Sequence, residues 1–383
     1  MTIDSHTEAT EPVDLRAQLD ARRATCPVDH DGLGTWTLLR HADVVAAATD
    51  PETFSSAAGS HRAIPNSLDG AEHAAYRAVV DRYLTDEAVA AQEEQCRAHA
   101  AAIVDALPRG RTISAITEIG TPFAVRTQAT WLGWPAELED ALVAWMADNH
   151  AATRSGDRAR TAAVAARFDD LVGSQVRARR EAGADAPDDV TTRLMRETVY
   201  GRPLTDAEVV SILRNWTAGD LGSLAASLGI VIHRLANNPD RQDVTRERVA
   251  RGEHAAIEAA IEEVLRIDDP FVANRRRTTR AVQVGGRTIP AGERVVLSWT
   301  SANRDPEVFG DPDAFRPEEN AAANLVFGAG PHVCPGRALT LMELRVAVGE
   351  LLARTERLLP ADEPSVREAP PAGGWAQVPV VLA

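Results

Sequence analysis

Apolar residues recur along most of this chain at three- and four-residue intervals, the period of a helix with one buried face. Residues 1–11 are polar and acidic and are expected to be disordered. The spacing then predicts a helix over Asp14–Ala24, a strand over Gly34–Leu39 and a short helix over Ala42–Ala48. Glu72 to Glu197 reads as almost wholly helical, with breaks near Pro108–Gly110, Gly133–Pro135, Ser155–Gly156 and Gly183–Pro187. Thr205 opens the longest predicted helix. Thr205 and Glu208 form a T-x-x-E capping box, and the pattern runs to about Asn237, where Pro239 stops it; at 1.5 Å per residue that is about 50 Å. A further helix covers His254–Ile267. The period then changes to that of strands: A-V-Q-V-G-G-R-T-I is a hairpin around Gly285–Gly286, and R-V-V-L-S is expected to continue its sheet. A proline-rich meander fills Asp305–Asn324, a helix runs from Arg337 to about Thr355, and the tail W-A-Q-V-P-V-V-L reads as a β-hairpin. The fold class is mainly α with a smaller β portion, an α+β protein.

Composition narrows this picture. The 383 residues, 44% hydrophobic and 25% charged, suit a globular protein with a large core. Length alone suggests more than one domain, but no linker-like segment interrupts the pattern, so a single domain over residues 12–383 is expected. The formal charge of −15 argues against a nucleic-acid partner and against binding to an anionic membrane. No apolar run reaches membrane-spanning length, and the N-terminus carries no secretory pattern. Three cysteines, Cys26, Cys96 and Cys334, give no disulfide framework and fit a reducing compartment, so a cytoplasmic location is expected.

One of those cysteines stands in unusual company. The stretch F-G-A-G-P-H-V-C-P-G, Phe327 to Gly336, places Cys334 in a loop crowded with glycine and proline, directly before a helix. A helix N-terminus favours an anion, which predicts a lowered thiol pKa and a thiolate ready to ligate metal. The string resembles the haem-binding signature of the cytochrome P-450 superfamily, F-x-x-G-x-H-x-C-x-G, in which the cysteine is the axial iron ligand. The resemblance extends over nearly the whole chain and implies that superfamily's triangular fold, with a long central helix over haem b (iron protoporphyrin IX). Phe327, His332 and Gly336 would belong to the haem site with Cys334.

Other segments match the same superfamily in order. Glu263 and Arg266, in E-E-V-L-R-I-D-D-P, resemble its Glu–Arg pair and are expected to be structural. The arginine that usually completes the set is replaced by Glu319, leaving Asn320 or Arg316 as candidate third partners. Asn303, Arg304 and Asp305 match a further structural signature. His73 and Arg77, at i and i+4 of one helical face, resemble the H-x-x-x-R haem contact. Arg276 falls where a propionate-binding arginine is usual, with Arg275 and Arg277 as register alternatives.

The middle of the long helix reads T-A-G-D-L-G-S. Gly219 and Gly222 each weaken it by about 1 kcal/mol relative to alanine. In the superfamily this point is a bulge over the haem, with an acid followed directly by an alcohol. Here Gly222 occupies the acid position, Ser223 the alcohol position, and Asp220 lies three residues before Ser223, on the same face; these two are the candidate catalytic pair for proton delivery. The displaced acid, with I-P-N-S-L-D-G-A-E-H and R-N-W-T-A-G, resembles a self-sufficient subfamily whose haem domain is fused to a reductase. The substrate pocket implied by the resemblance draws on Ile64 and Pro65, Ala218 and Leu221, Phe271 and Val272, and Trp375 at a hairpin tip.

The activity implied is monooxygenation: one oxygen atom from O2 enters a small organic substrate. No flavin or iron–sulfur motif follows Cys334, so ferredoxin and ferredoxin reductase are expected to bring electrons from NAD(P)H. A peroxide-driven peroxygenase, or a catalyst of nitration or oxidative coupling, is the alternative enzyme reading. A haem-binding sensor or carrier is the third.

Overall fold

A computed structural model of the chain describes residues 14–59, 62–369 and 372–383. The N-terminal segment expected to be disordered lies outside them. Four helices form the centre: Glu93–Ala106, Thr121–Leu132, Asp206–Ala236 and Arg337–Ala353 pack on one another. The last is buried on every side from Leu341 to Leu352, including Glu343, Arg345 and Glu350. A helix that is apolar all round belongs in the interior of a large core.

The long helix spans Asp206–Ala236 and stays helical through Gly219 and Gly222, so the expected bulge is absent. Its capping box forms as expected: Thr205 N–H donates to Glu208 Oε2 at 2.8 Å, and Glu208 N–H to Thr205 Oγ1 at 3.3 Å. Gly133, Gly156 and Gly183 end helices at positive φ, where only glycine is unstrained. Leu15–Thr25 and His41–Thr49 match the early helices within one residue at each end, and the strand between them is Thr35–Leu38.

The β portion departs from the sequence reading. R-V-V-L-S does not continue the Gly285–Gly286 hairpin, whose strands Val282–Val284 and Arg287–Ile289 pair only with each other. Arg294–Ser298 lies instead in a five-stranded sheet ordered Val28–His30, Thr35–Leu38, Arg294–Ser298, Ala273–Thr278, Phe54–Ser55. It runs parallel to Thr35–Leu38 and antiparallel to Ala273–Thr278. A second hydrophobic core, including Trp36, Leu38, Val295, Leu297 and Trp299, packs against this sheet. In the tail, Trp375–Gln377 pairs back on Val366–Arg367, whereas Pro379–Leu382 joins Leu358–Pro360 and Thr112–Ser114. The two halves of W-A-Q-V-P-V-V-L thus enter different sheets, and Trp375 lies on a strand rather than at a tip.

Candidate active site

The cysteine loop is held by backbone geometry that demands glycine. Gly330 has φ +72°, and a Cβ there would lie 2.4 Å from the carbonyl oxygen of Ala48, so the loop presses directly onto the end of helix His41–Thr49. The chain then makes a short turn over Gly330–His332, and Cys334 N–H donates to Phe327 O at 2.9 Å. Gly336 caps helix Arg337–Ala353, and a Cβ on it would lie 3.8 Å from Cys334 Sγ. The expected lowering of the thiol pKa does not hold for the protein alone. Burial pushes the Cys334 thiol up, against smaller opposing effects from the Gly336 N–H and Arg77. A coordinating metal would deprotonate it outright through its own charge.

Three basic side chains gather beside this loop. His73 and His332 lie in a tilted ring contact, with centroids 4.1 Å apart and planes at 46°. His332 Nε2 lies 2.9 Å from Ser56 Oγ and 3.6 Å from Asp69 Oδ1. Burial, with His73 and Arg276 nearby, pushes the His332 pKa down to about 4, and burial then Arg77 lower that of His73, so both imidazoles are neutral at pH 7. Strand Ala273–Thr278 settles the register of the arginines. Successive side chains alternate faces: Arg275 and Arg277 are exposed, and Arg276 points inward at 5% exposure. Among the described residues Arg276 makes no ion pair: Asp69 acts on it only at longer range, and its guanidinium's one hydrogen bond runs to its neighbour's carbonyl, Arg275 O, at 2.9 Å. A buried guanidinium without an anion is costly. Its donor set therefore fits a group bearing carboxylates, as haem does. Arg77 is committed elsewhere: it donates to Asp81 at 2.6 Å and to the loop carbonyls of Pro331 and Val333 at 3.1 and 2.8 Å. It braces the cysteine loop rather than standing free beside His73.

On the long helix, Ala218 and Gly219 are exposed while the neighbouring Thr217 and Leu221 are fully buried. Residues 218, 219, 222 and 223 share one helical face, and this face opens away from the helical core. Leu221, expected in the pocket, points the other way, into that core. Ser223 Oγ donates back to Gly219 O at 2.8 Å, so its proton is held within the helix. Asp220 turns from this face: its Oδ2 is buried without a hydrogen-bond partner. The expected Asp220–Ser223 side-chain pair therefore does not form. Burial raises the Asp220 pKa to about 7.

Of the remaining pocket candidates, Ile64 is buried and tethered to the long helix, its N–H donating to Ser211 Oγ at 2.9 Å and its carbonyl accepting from Asn215 Nδ2 at 2.7 Å. Phe271 is 48% exposed, and Val272 is half-buried beside it. Trp375 is engaged by Asp268, which accepts from its Nε1 at 2.8 Å, by the Arg367 guanidinium 3.6 Å from its ring centroid, and by His233 stacked at 4.0 Å. Phe327 packs at the edge of the helical core under the Arg337 guanidinium.

Behind the cysteine loop, Arg266 donates to both oxygens of Glu263 at 2.8 Å, with the two side chains 0% and 2% exposed. Its other donors reach Asn303 O, Pro312 O and Ala314 O. Asn320 Nδ2 and the Arg316 N–H complete the shell on Glu263 Oε1, whereas Glu319 points outward. Asn303 Oδ1 accepts from Leu325 N–H at 2.7 Å, which ties this network to the approach of the loop.

The sequence profile of the cytochrome P-450 family matches residues 153–380. The chain belongs to the cytochrome P-450 family. It is 32% identical to the erythromycin C-12 hydroxylase of Saccharopolyspora erythraea over 93% of this chain and 91% of that protein. It is 31% identical to the cyclomarin C epoxidase of Salinispora arenicola, covering 84% of each, and 27% identical to linalool 8-monooxygenase of Pseudomonas putida, covering 86% and 85%. The structure of a mutant of the P-450 EryK in complex with erythromycin B superposes with a TM-score of 0.85 at 29% identity, covering 96% of both chains. This P-450 is a haem-iron oxidoreductase, a monooxygenase that works with O2, an organic substrate and redox partners. No helix among the described residues is long and apolar enough to cross a membrane.

Several residues around the site escaped the sequence reading. Ser56 and Asp69 fix His332; Ser211 and Asn215 hold the Ile64 loop; Cys96 and Glu343 act electrostatically with Asp220. Only Glu343 left a signal, as a lone acid within the apolar run L-T-L-M-E-L of a fully buried helix, where carboxylates are rarely found unpaired.

Proposed function

We propose that this P-450 hydroxylates or epoxidises a small organic substrate as a cytoplasmic single haem domain over residues 12–383. Cys334 would hold the iron of haem b, and Arg276 with His73 would receive the haem carboxylates. Electrons come from NAD(P)H through ferredoxin reductase and a ferredoxin. The observation that carries the cofactor assignment is Arg276, an inward-facing cation with no ion pair among the described residues and only Asp69 acting on it at longer range.

When bound, haem supplies activation of O2 and transfer of one of its atoms. The chain does the rest. Arg77 holds the loop carbonyls on either side of His332, so the thiol keeps one position. Neutral His332 and His73 add donors without adding repulsion to Arg276. The open face at Ala218 and Gly219 leaves room for oxygen and substrate against the helix, and Ile64 closes one side. Asp220 is the acid from which protons reach that face.

Turnover with isotopically labelled O2, NAD(P)H, ferredoxin reductase and ferredoxin tests this reading, with the relatives' substrates linalool and erythromycin heading a compound panel. One labelled oxygen atom in the product, dependent on all three electron-transfer components, is expected. Unlabelled product, or equal oxidation by hydrogen peroxide without partners, would overturn it.

A further inference from the structure

Gly222 stands where the resemblance places an acid, and the space it leaves is met from another helix. Among the described residues outside its own turn of helix, a Cβ on Gly222 would meet one atom within 4 Å, His150 Nε2 at 3.5 Å. His150 lies on helix Glu139–Ser155. Glycine within a helix costs about 1 kcal/mol relative to alanine, and no backbone contact forbids a larger residue here. What a longer side chain would displace is the imidazole. The open face formed by residues 218, 219, 222 and 223 thus has a polar ring set beside it.

His150 and Arg154 share one face of their helix, at i and i+4. Arg154 is committed: its Nε donates to Glu368 Oε1 at 2.9 Å, in an ion pair that ties the helix to the tail segment. Glu368 also accepts from Ala369 N–H at 2.8 Å. His150 has no such partner. It is half-buried, and among the described residues no hydrogen bond or ion pair satisfies either ring nitrogen. Burial, then Arg154, lower its pKa against the opposing pull of Glu368, so the ring is neutral at pH 7. A neutral imidazole offers one N–H donor and one acceptor nitrogen.

We propose that His150 is a specificity-determining residue: from its place beside Gly222 it hydrogen-bonds a hydroxyl or carbonyl oxygen of the substrate, and so favours neutral oxygenated molecules over hydrocarbons of the same shape. The proposal rests on substrate occupying the open face of the long helix. The ring matches both groups, since its N–H donates to a carbonyl and its bare nitrogen accepts from a hydroxyl. An ionised group is a poor match, because Arg154 and Glu368 already neutralise each other and a further charge would be desolvated without a counterion. A hydrocarbon in the same place covers the ring nitrogens without satisfying them, whereas an oxygen supplies the missing partner.

Ligand-induced spin-state titrations of the haem-loaded protein read this without turnover. The probes are two size-matched sets: menthol, menthone and p-menthane, and cyclododecanol, cyclododecanone and cyclododecane. The quantity read is the affinity for the alcohol or ketone divided by that for its parent hydrocarbon. His150→Phe keeps a ring and removes both nitrogens; in at least one set it should lower that ratio about three- to tenfold, the worth of one hydrogen bond. His150→Gln keeps a donor and an acceptor and should restore part of the ratio. A ratio that His150→Phe leaves unchanged in both sets, or a wild type that binds no oxygenated member, overturns the assignment. Gly222→Val fills the space at the face and should weaken binding of every probe. Undiminished binding in Gly222→Val rejects the face as the substrate's place. Weakened binding there, with an unchanged ratio in His150→Phe, rejects the role of His150 alone.

Discussion

The side-chain amide of Asn320 donates to Glu263 Oε1 at 2.7 Å, inside the buried ion pair that Glu263 forms with Arg266. A neutral donor thus completes a shell in which, among the described residues, Arg266 is the only side-chain cation hydrogen-bonded to Glu263. Glu263→Ala would strand the Arg266 guanidinium and should cost about 3–5 kcal/mol. Asn320→Ala leaves the ion pair intact and should cost less, about 1.5–3 kcal/mol for one hydrogen bond to a charged group. Asn320→Asp sets a second acid against Glu263 and should fall below Asn320→Ala. Urea midpoints of the haem-loaded variants give the order, and equal stability of Glu263→Ala and the wild type would contradict it.

Gly330 is required for two separate reasons. Its φ of +72° costs any L-residue about 1–2 kcal/mol, and a methyl group there would collide with Ala48 O. Gly292 shares the positive φ, at +83°, but has open space around it. Gly330→Ala should therefore lose haem-loaded protein, while Gly292→Ala should show only a modest fall in melting temperature.

Arg276 should hold haem through charge, and its two neighbours should not. Arg276→Gln is expected to speed transfer of haem to an acceptor apoprotein, whereas Arg275→Gln and Arg277→Gln, on the outer face, should leave the rate unchanged. Equal effects of all three would mean that the inward register has no bearing on the cofactor.

Two half-buried histidines oppose the folded state in mild acid. Burial holds His233 and His332 at about 4, below the ordinary value near 6.5. Between those pH values these two imidazoles bind protons in the unfolded chain but not in the folded one, so their contribution to stability falls as pH drops from about 6.5 to about 4 and is constant below that, opposed by the raised buried acids Asp220 and Asp269. His233→Gln, away from the cysteine loop, should make the slope of denaturation midpoint against pH less positive than that of the wild type in that window. An unchanged slope would show that His233 titrates normally in the folded state.

The elements that the sequence disclosed are those whose signals are local. The capping box at Thr205 and Glu208, the glycines at helix ends and the crowded loop around Cys334 all act within a few residues of themselves. Arg294–Ser298 was legible as a strand, but its partner Thr35–Leu38 lies at the other end of the chain, and no local pattern names a distant partner. Asp220 shows the same limit on a smaller scale. Spacing placed it on a face with Ser223, but Ser223 satisfied its hydroxyl on Gly219 O and the acid's Oδ2 is buried without a partner. The Cys334 thiol carries both kinds of influence: helix-end electrostatics, legible in sequence, pull its pKa down, and burial, which is not, pushes it up in the metal-free chain.

The most direct measurement is the absorption spectrum of the reduced protein with carbon monoxide, for the wild type and for Cys334→Ala, Cys96→Ser and Cys26→Ser. The wild type, Cys96→Ser and Cys26→Ser should all give the strongly red-shifted Soret band of thiolate-ligated haem, and Cys334→Ala should lose it. A folded, haem-loaded wild type with an imidazole-type band, or a Cys334→Ala protein that keeps the red-shifted band, would contradict the assignment of Cys334 as the iron ligand.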